Sequence, residues 1–85
     1  MTNIRFTLVR HPDNVFCITL DIPEGTTVKE LVRMCVETEG VTIPEEELYY
    51  KVGWLVDGTE INRRFIFSGT EKNIDILDMM MPLGC

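Results

Sequence analysis

The sequence contains few of the residues that build metal sites and disulfide frameworks. Cys17, Cys35 and Cys85 are an odd number of cysteines with no CxxC spacing, and His11 is the single histidine. These residues therefore predict neither a zinc site nor a set of disulfide bonds. Secreted domains of this size usually carry paired cysteines, so the expected location is a reducing compartment, the cytoplasm or the nucleus.

Basic residues and long apolar runs are also scarce. Eight Lys and Arg against fourteen Asp and Glu give a net charge of −6. This balance argues against duplex nucleic acid or an anionic membrane surface as a partner, because both attract cations. No apolar run approaches the ~20 residues of a membrane span. Arg5 and Arg10 interrupt the first residues, so a signal peptide is not expected.

The sequence also lacks the usual catalytic constellations. It contains no nucleophile with a spaced base, no phosphate-binding glycine loop and no cluster of metal-ligating residues. His11 precedes Pro12 in a turn, where no carboxylate or thiol is spaced to make it a general base. We therefore expect a protein that is not an enzyme and that uses no cofactor or metal.

Acidic residues are concentrated in the middle of the chain, at Glu37, Glu39, Glu45, Glu46 and Glu47. One interpretation is a surface for a basic protein partner. The other is an ordinary solvated loop, which is the more frequent role of acidic runs.

Two alternating segments open the chain. Its 85 residues, 45% of them hydrophobic, are enough for one domain that buries about 60% of the surface of the unfolded chain. Apolar and polar residues alternate from Asn3 to Arg10 and again from Phe16 to Ile22, the pattern of half-buried strands. His11 to Asn14 have turn chemistry, so the two segments predict an antiparallel hairpin.

A capped helix is predicted next. Thr27 and Glu30 have the spacing of a capping box, in which each side chain accepts from the backbone of the other. One apolar stripe follows at helical spacing, which places Cys35 in the core: Val28, Leu31, Val32, Cys35 and Val36. Gly40 is the expected left-handed stop.

The second half of the chain predicts strands and turns. Pro44 to Glu47 predict a loop or a short turn of helix. Leu48 to Val52 then have the aromatic and branched content of a strand, which Gly53 to Val56 either extend or follow with a neighbouring strand. Asp57-Gly58 predicts a tight turn, and the residues from Glu60 to Arg64 an irregular or briefly extended segment. Asn73 to Asp78 predict a final strand with Ile74 and Ile76 on one face.

This order of elements resembles the β-grasp fold of ubiquitin-like proteins. The resemblance implies an α+β domain over residues 1–78, with a mixed sheet of four to five strands and one main helix packed on one face. Residues 79–85 are expected to form a flexible tail. Among β-grasp families, the chain is most similar to the ubiquitin-fold modifier in Phe6-Thr7-Leu8, in Ile22-Pro23-Glu24 and in its Gly84-Cys85 ending. It departs from that family in having methionines instead of a basic stretch before the glycine, and no residue between Gly84 and Cys85.

The resemblance implies a conjugation pathway. A processing protease removes Cys85, an ATP-using activating enzyme adenylates the Gly84 carboxylate, and thioester relays through conjugating enzymes pass it to lysines of target proteins. The segment threaded through the partner active sites is expected to be Met80, Met81, Pro82 and Leu83. Alternatively, Met79 and Met80 complete the last strand.

The face of the sheet opposite the helix is the expected partner-binding surface. By alternation, this face is predicted to carry Arg5, Thr7, Val9, Cys17 and Thr19, with Tyr50 and Trp54 as exposed aromatic anchors; the alternative for both aromatics is the core. The sheet edge is a second route for a partner, since it accepts an added strand. Lys29, Lys51 and Lys72 are candidate acceptors for self-linked chains, and a monomer is expected. Two other functions remain open: a non-conjugated interaction module, such as a secretion-system component, and a sulfur carrier.

Overall fold

A computed structural model describes residues 1–8 and 17–78 of the chain. Within these residues there are five strands and two helices: β1 (Thr2–Thr7), β2 (Cys17–Leu20), α1 (Val28–Val36), α2 (Glu45–Tyr50), β3 (Val52–Val56), β4 (Thr59–Ile61) and β5 (Asn73–Asp78). No helix in this part of the chain has the length and apolar content that a bilayer crossing requires.

The strands form one mixed sheet in the order β2-β1-β5-β3-β4. β1 and β5 are parallel at its centre, while the pairs β1–β2, β3–β5 and β3–β4 are antiparallel. The antiparallel β1–β2 pair confirms the predicted pairing of the first two strands; the turn predicted between them lies outside the described residues. With one main helix beside the sheet, this is the predicted β-grasp-like α+β fold.

Alternation along the strands separates a buried face from an open face. In β1, Ile4 and Phe6 are buried, and in β5 Ile74 and Ile76 are buried as predicted. α1 contributes its predicted apolar stripe to the same core, to which Leu48 and Phe67 also belong. Fully burying each such side chain stabilises the fold by about 1.5–3 kcal/mol relative to exposure.

The start of α1 is the predicted capping box. The backbone N–H of Glu30 donates to Thr27 Oγ1 at 3.2 Å, and the backbone N–H of Thr27 donates to Glu30 Oε1 at 3.1 Å. The backbone N–H of Thr27 and its hydroxyl, which also donates to Glu30 Oε1 at 3.0 Å, lower the pKa of the Glu30 carboxyl. The predicted stop at Gly40 was wrong in position: the helix ends at Val36 with Glu37 as its C-cap, and Gly40, with φ of 93°, lies in the turn beyond.

The segment from Glu45 to Tyr50 is helical, so the predicted start of the strand at Leu48 was wrong. The strand begins at Val52 and continues to Val56, which confirms the strand predicted for Gly53 to Val56. Pro44 supplies a fixed φ at the N-cap, and three glutamates in the first turn complement the positive end of the helix. Arg33 of α1 also lies 3.5 Å from a carboxylate oxygen of Glu45. Glu45, Glu46 and Glu47 therefore have a structural role in the first turn of α2.

The turn between β3 and β4 also anchors β5. Asp57 and Gly58 have φ of 49° and 85°, which confirms the predicted tight turn. The Asp57 carboxylate accepts the backbone N–H of Asn73 at 2.9 Å and that of Lys72 at 3.1 Å. The following strand, β4, confirms a brief extended segment in the region predicted from Glu60.

Candidate protein-interaction surface

The open face of the sheet presents three rows of side chains that cross neighbouring strands. The strand registers align the first row as Cys17, Arg5, Asp75, Leu55 and Glu60. In the second row Thr7 lies beside Leu77, which lies beside Gly53, and in the third row Asn3 lies between Thr19 and Asn73. We use the name open face for these eleven residues.

Two leucines give the open face its apolar content. Leu55 on β3 and Leu77 on β5 are each half-buried, on adjacent strands and in adjacent rows. Gly53 is the direct neighbour of Leu77 in β3 and has no side chain to cover it. A partner side chain therefore has access to the leucine from the β3 side.

Polar side chains occupy most of the remaining positions of the open face. Arg5 Nε lies 4.0 Å from an Asp75 carboxylate oxygen, and both side chains are substantially exposed. Thr19 donates from its hydroxyl to the side-chain oxygen of Asn3 at 3.3 Å. The exposed ion pair between Arg5 and Asp75 contributes little to stability, because solvent screens it. It is suited instead to orienting a partner, since rim charges mainly affect specificity and association rate.

The structure places only part of the predicted binding surface on this face. Arg5, Thr7 and Thr19 are exposed there, and so is the unpaired thiol of Cys17. Val9 lies outside the described residues.

Both aromatic anchors need correction. Trp54 is 3% exposed and belongs to the core, because it shares the buried face of β3 with Val52 and Val56. Tyr50 is 58% exposed but lies at the end of α2, not on the sheet.

Seven of the eleven open-face residues are missing from the predicted surface, among them Leu55, Leu77 and Asp75. For Leu55 the signal is alternation, which assigns this residue to the other face once the structure places Val52 and Val56 on the buried face of β3. The same reasoning applies to β5, where the buried Ile74 and Ile76 assign Asp75 and Leu77 outward.

The candidate acceptor lysines are accessible. Lys29 lies on α1, Lys51 is the C-cap of α2 and Lys72 precedes β5; all three are exposed. The predicted conjugation and cleavage residues, Gly84 and Cys85, lie outside the described residues. So do the tail residues Met79, Met80, Met81, Pro82 and Leu83.

The perturbed titratable groups of the described chain have structural causes. Burial raises the pKa of the Cys35 thiol to about 12, which keeps it protonated and unreactive in the core. Glu30 and Glu71 have lowered pKa values because they accept local hydrogen bonds, although desolvation at Glu71 acts in the opposite direction. Among residues 1–8 and 17–78, no three His, Cys, Asp or Glu side chains are grouped to hold a metal ion.

The chain matches no protein-family model, and no curated protein is significantly similar to it.

Proposed function

We propose that this protein is a ubiquitin-like modifier, which partner proteins recognise through its open face and which is joined to target amines through the carboxylate of Gly84. Cleavage of the peptide bond between Gly84 and Cys85 frees that carboxylate. The protein is then a substrate of activating and conjugating enzymes and not itself an enzyme. We place it in the cytoplasm or nucleus, as a monomer.

The observation that carries the proposal is the position of β5. This strand lies at the centre of the sheet, parallel to β1, and ends at Asp78. Gly84 is six residues further along the chain, a segment that spans at most about 20 Å when extended. An enzyme bound over Leu77, one residue before the end of β5, would therefore lie within reach of the glycine.

The chemistry of glycine supports the choice of donor. A residue without a side chain passes through a narrow enzyme channel, and a catalytic thiol attacks the activated carboxylate without steric hindrance. Pro82 keeps the preceding segment out of a helix.

A Gly84→Ala variant tests the donor assignment. Expressed with an affinity tag at the N-terminus in the native cells, the original chain is expected to give higher-mass adducts on a denaturing gel, and Gly84→Ala to give none. The control is a chain ending at Gly84, which bypasses processing and should still give adducts. Adducts that persist in Gly84→Ala would contradict the proposal.

The second candidate function is a non-conjugated interaction module, which the half-buried pair Leu55 and Leu77 on the open face favours. In this case a partner binds through the sheet and the tail has no chemistry. A partner that copurifies with Gly84→Ala but not with Leu77→Asp, in cells where no variant gives covalent adducts, would favour the module.

A further inference from the structure

We propose that a second surface, at the C-terminal end of α2, is a docking site for an acidic peptide segment of a partner protein. We call it the Tyr50 patch. It consists of Lys29, Tyr49, Tyr50, Lys51, Arg63 and Arg64. The recognition role of the Tyr50 patch depends on neither Gly84 nor the open face, so it can be tested separately from conjugation.

The first observation is a large aromatic side chain held in a fixed position at the surface. Tyr50 is 58% exposed. Its ring meets that of Tyr49 edge to face, with centroids 4.7 Å apart and an interplanar angle of 84°. Rigid exposed aromatics supply binding area at a low cost in conformational entropy, which is why tyrosine is frequent among binding hot spots.

Arg63 fixes this arrangement from a distant part of the chain. Its Nε donates to the carbonyl oxygen of Tyr49 at 2.8 Å, and one terminal nitrogen donates to that of Tyr50 at 2.9 Å. The guanidinium carbon lies 5.7 Å and 5.2 Å from the two ring centroids, within cation–π range.

The segment that carries Arg63 is itself ordered by a turn around Asn62. The side-chain oxygen of Asn62 accepts the backbone N–H of Arg64 at 2.8 Å. The backbone carbonyl oxygen of Asn62 accepts the backbone N–H of Phe65 at 3.1 Å. Both tyrosine rings and the guanidinium are thus arranged before any partner binds, which reduces the ordering cost of association.

The second observation is local charge opposite to that of the whole chain. Within the described residues, none of the four cations of the Tyr50 patch forms an ion pair with a carboxylate. Lys29 lines a groove of about 300 Å³ between α1 and α2 with both tyrosines. Arg33 and Glu45 neutralise each other at that groove, which leaves Glu46 as the remaining carboxylate of its lining.

Charge complementarity selects the occupant. A group of unpaired cations around an exposed aromatic ring attracts carboxylates, and the ring offers contact area to an apolar side chain among them. A long polyanion such as nucleic acid is disfavoured because the net charge of −6 repels it outside the small basic area. A short acidic segment with one large apolar residue fits both features.

The experiment is an NMR titration of the full-length, ¹⁵N-labelled protein. The probe is a short synthetic peptide with a central phenylalanine flanked by glutamates, and the control peptide has lysines in place of the glutamates. We expect the acidic peptide alone to shift the amide signals of the Tyr50 patch, and binding to weaken as salt is added. Shifts confined to the open face, or equal shifts with both peptides, would overturn the proposal.

Matched variants distinguish specific binding at the Tyr50 patch from nonspecific binding of the peptide. Tyr50→Ala is expected to weaken binding about fivefold or more, whereas Ile66→Ala, which removes a side chain exposed to a similar extent, 56%, should have no effect. Lys51→Glu should weaken binding and Lys72→Glu, an exposed lysine elsewhere, much less. If Tyr50→Ala does not fold, the comparison of Lys51→Glu with Lys72→Glu tests the proposal instead.

Two further results would also overturn it. One is tighter binding of an oligodeoxythymidine than of the acidic peptide. The other is self-association that Tyr50→Ala abolishes in sedimentation experiments, since the patch would then be an interface between copies of this chain. Neither result bears on Gly84, so loss of this proposal leaves the conjugation proposal unaffected.

Discussion

At the scale of single residues, the carboxylate of Glu71 holds together the loop that leads into β5. One of its oxygens accepts the backbone N–H and the hydroxyl of Ser68, both at 2.9 Å, and the other accepts the N–H of Gly69 at 3.0 Å. The backbone carbonyl oxygen of Glu71 accepts the Thr2 hydroxyl at 2.7 Å, and this hydrogen bond connects the loop to β1. Because the residue is only 9% exposed, these donors have little access to water as an alternative partner.

Replacing Glu71 by Gln is expected to destabilise the fold by about 1–3 kcal/mol at neutral pH, because the new amide nitrogen faces an N–H donor that loses its acceptor. Desolvation raises the pKa of Glu71, but the hydrogen bonds from Ser68 and Gly69 outweigh it, and the folded-state pKa lies below the usual value. A lowered folded-state pKa contributes stability above the unfolded-state pKa, and this stability is lost as pH falls through the folded-state value. The difference in the free energy of unfolding between Glu71→Gln and the original chain should therefore become smaller as the pH falls.

Urea unfolding over a range of pH measures this difference. The control is Glu60→Gln on the exposed strand β4, which should change stability by less than about 0.5 kcal/mol. A Glu71→Gln deficit that stays constant down to strongly acidic pH would show that the carboxylate charge has no part in holding the loop.

At the scale of elements, two glycines with similar backbone angles provide a matched comparison. Gly25 and Gly69 have φ of 88° and 90°. A Cβ at Gly25 would meet no atom within 4 Å, whereas a Cβ at Gly69 would lie 3.1 Å from the backbone nitrogen of Glu24. Gly25 also donates its N–H to the carbonyl of Phe67 at 2.8 Å, so the two loops are held side by side.

Gly25→Ala is expected to cost about 1–2 kcal/mol, the penalty of a left-handed conformation alone. Gly69→Ala should cost more, by about 1–3 kcal/mol, because the backbone of Glu24 has to move. Thermal or urea unfolding of the two variants measures the difference. Equal losses would contradict the close approach of the two loops.

Elements whose signals are local could be predicted from the sequence. The capping box of α1, its apolar stripe, the Asp57-Gly58 turn and the alternation of β5 each depend on neighbouring residues. Their order led to the β-grasp fold. The buried position of Trp54 depends on the phase of a strand whose start the sequence does not mark.

The helix α2 could not be predicted in this way. Leu48, Tyr49 and Tyr50 have the composition of a strand, and a helix of six residues is marginal by itself. Its last carbonyls are satisfied by Arg63, more than ten residues away in sequence. Tertiary contacts therefore override local preference here, and the same contacts create the Tyr50 patch, which no sequence pattern indicated.

At the scale of the whole molecule, the sheet separates the hydrophobic core from the surface that we propose for partner recognition. The core lies on the helical side, the open face presents Leu55 and Leu77 on the other, and the central strand β5 ends at Asp78, six residues before Gly84 in the sequence. The Tyr50 patch lies at the end of α2, apart from the open face, so two partners have separate surfaces available. We therefore expect a substitution in the Tyr50 patch to change peptide binding without changing covalent attachment through Gly84.

Mass spectrometry of the protein recovered from its native cells distinguishes a conjugated modifier from the other candidate functions. For a modifier we expect a mature form that ends at Gly84, and tryptic peptides in which the Gly84 carboxylate is joined to a lysine of another protein. A mature form that retains Cys85 throughout, with no such branched peptides, would contradict the modifier proposal. A gain of sulfur in place of oxygen at Gly84 would contradict it too, and would identify a sulfur carrier.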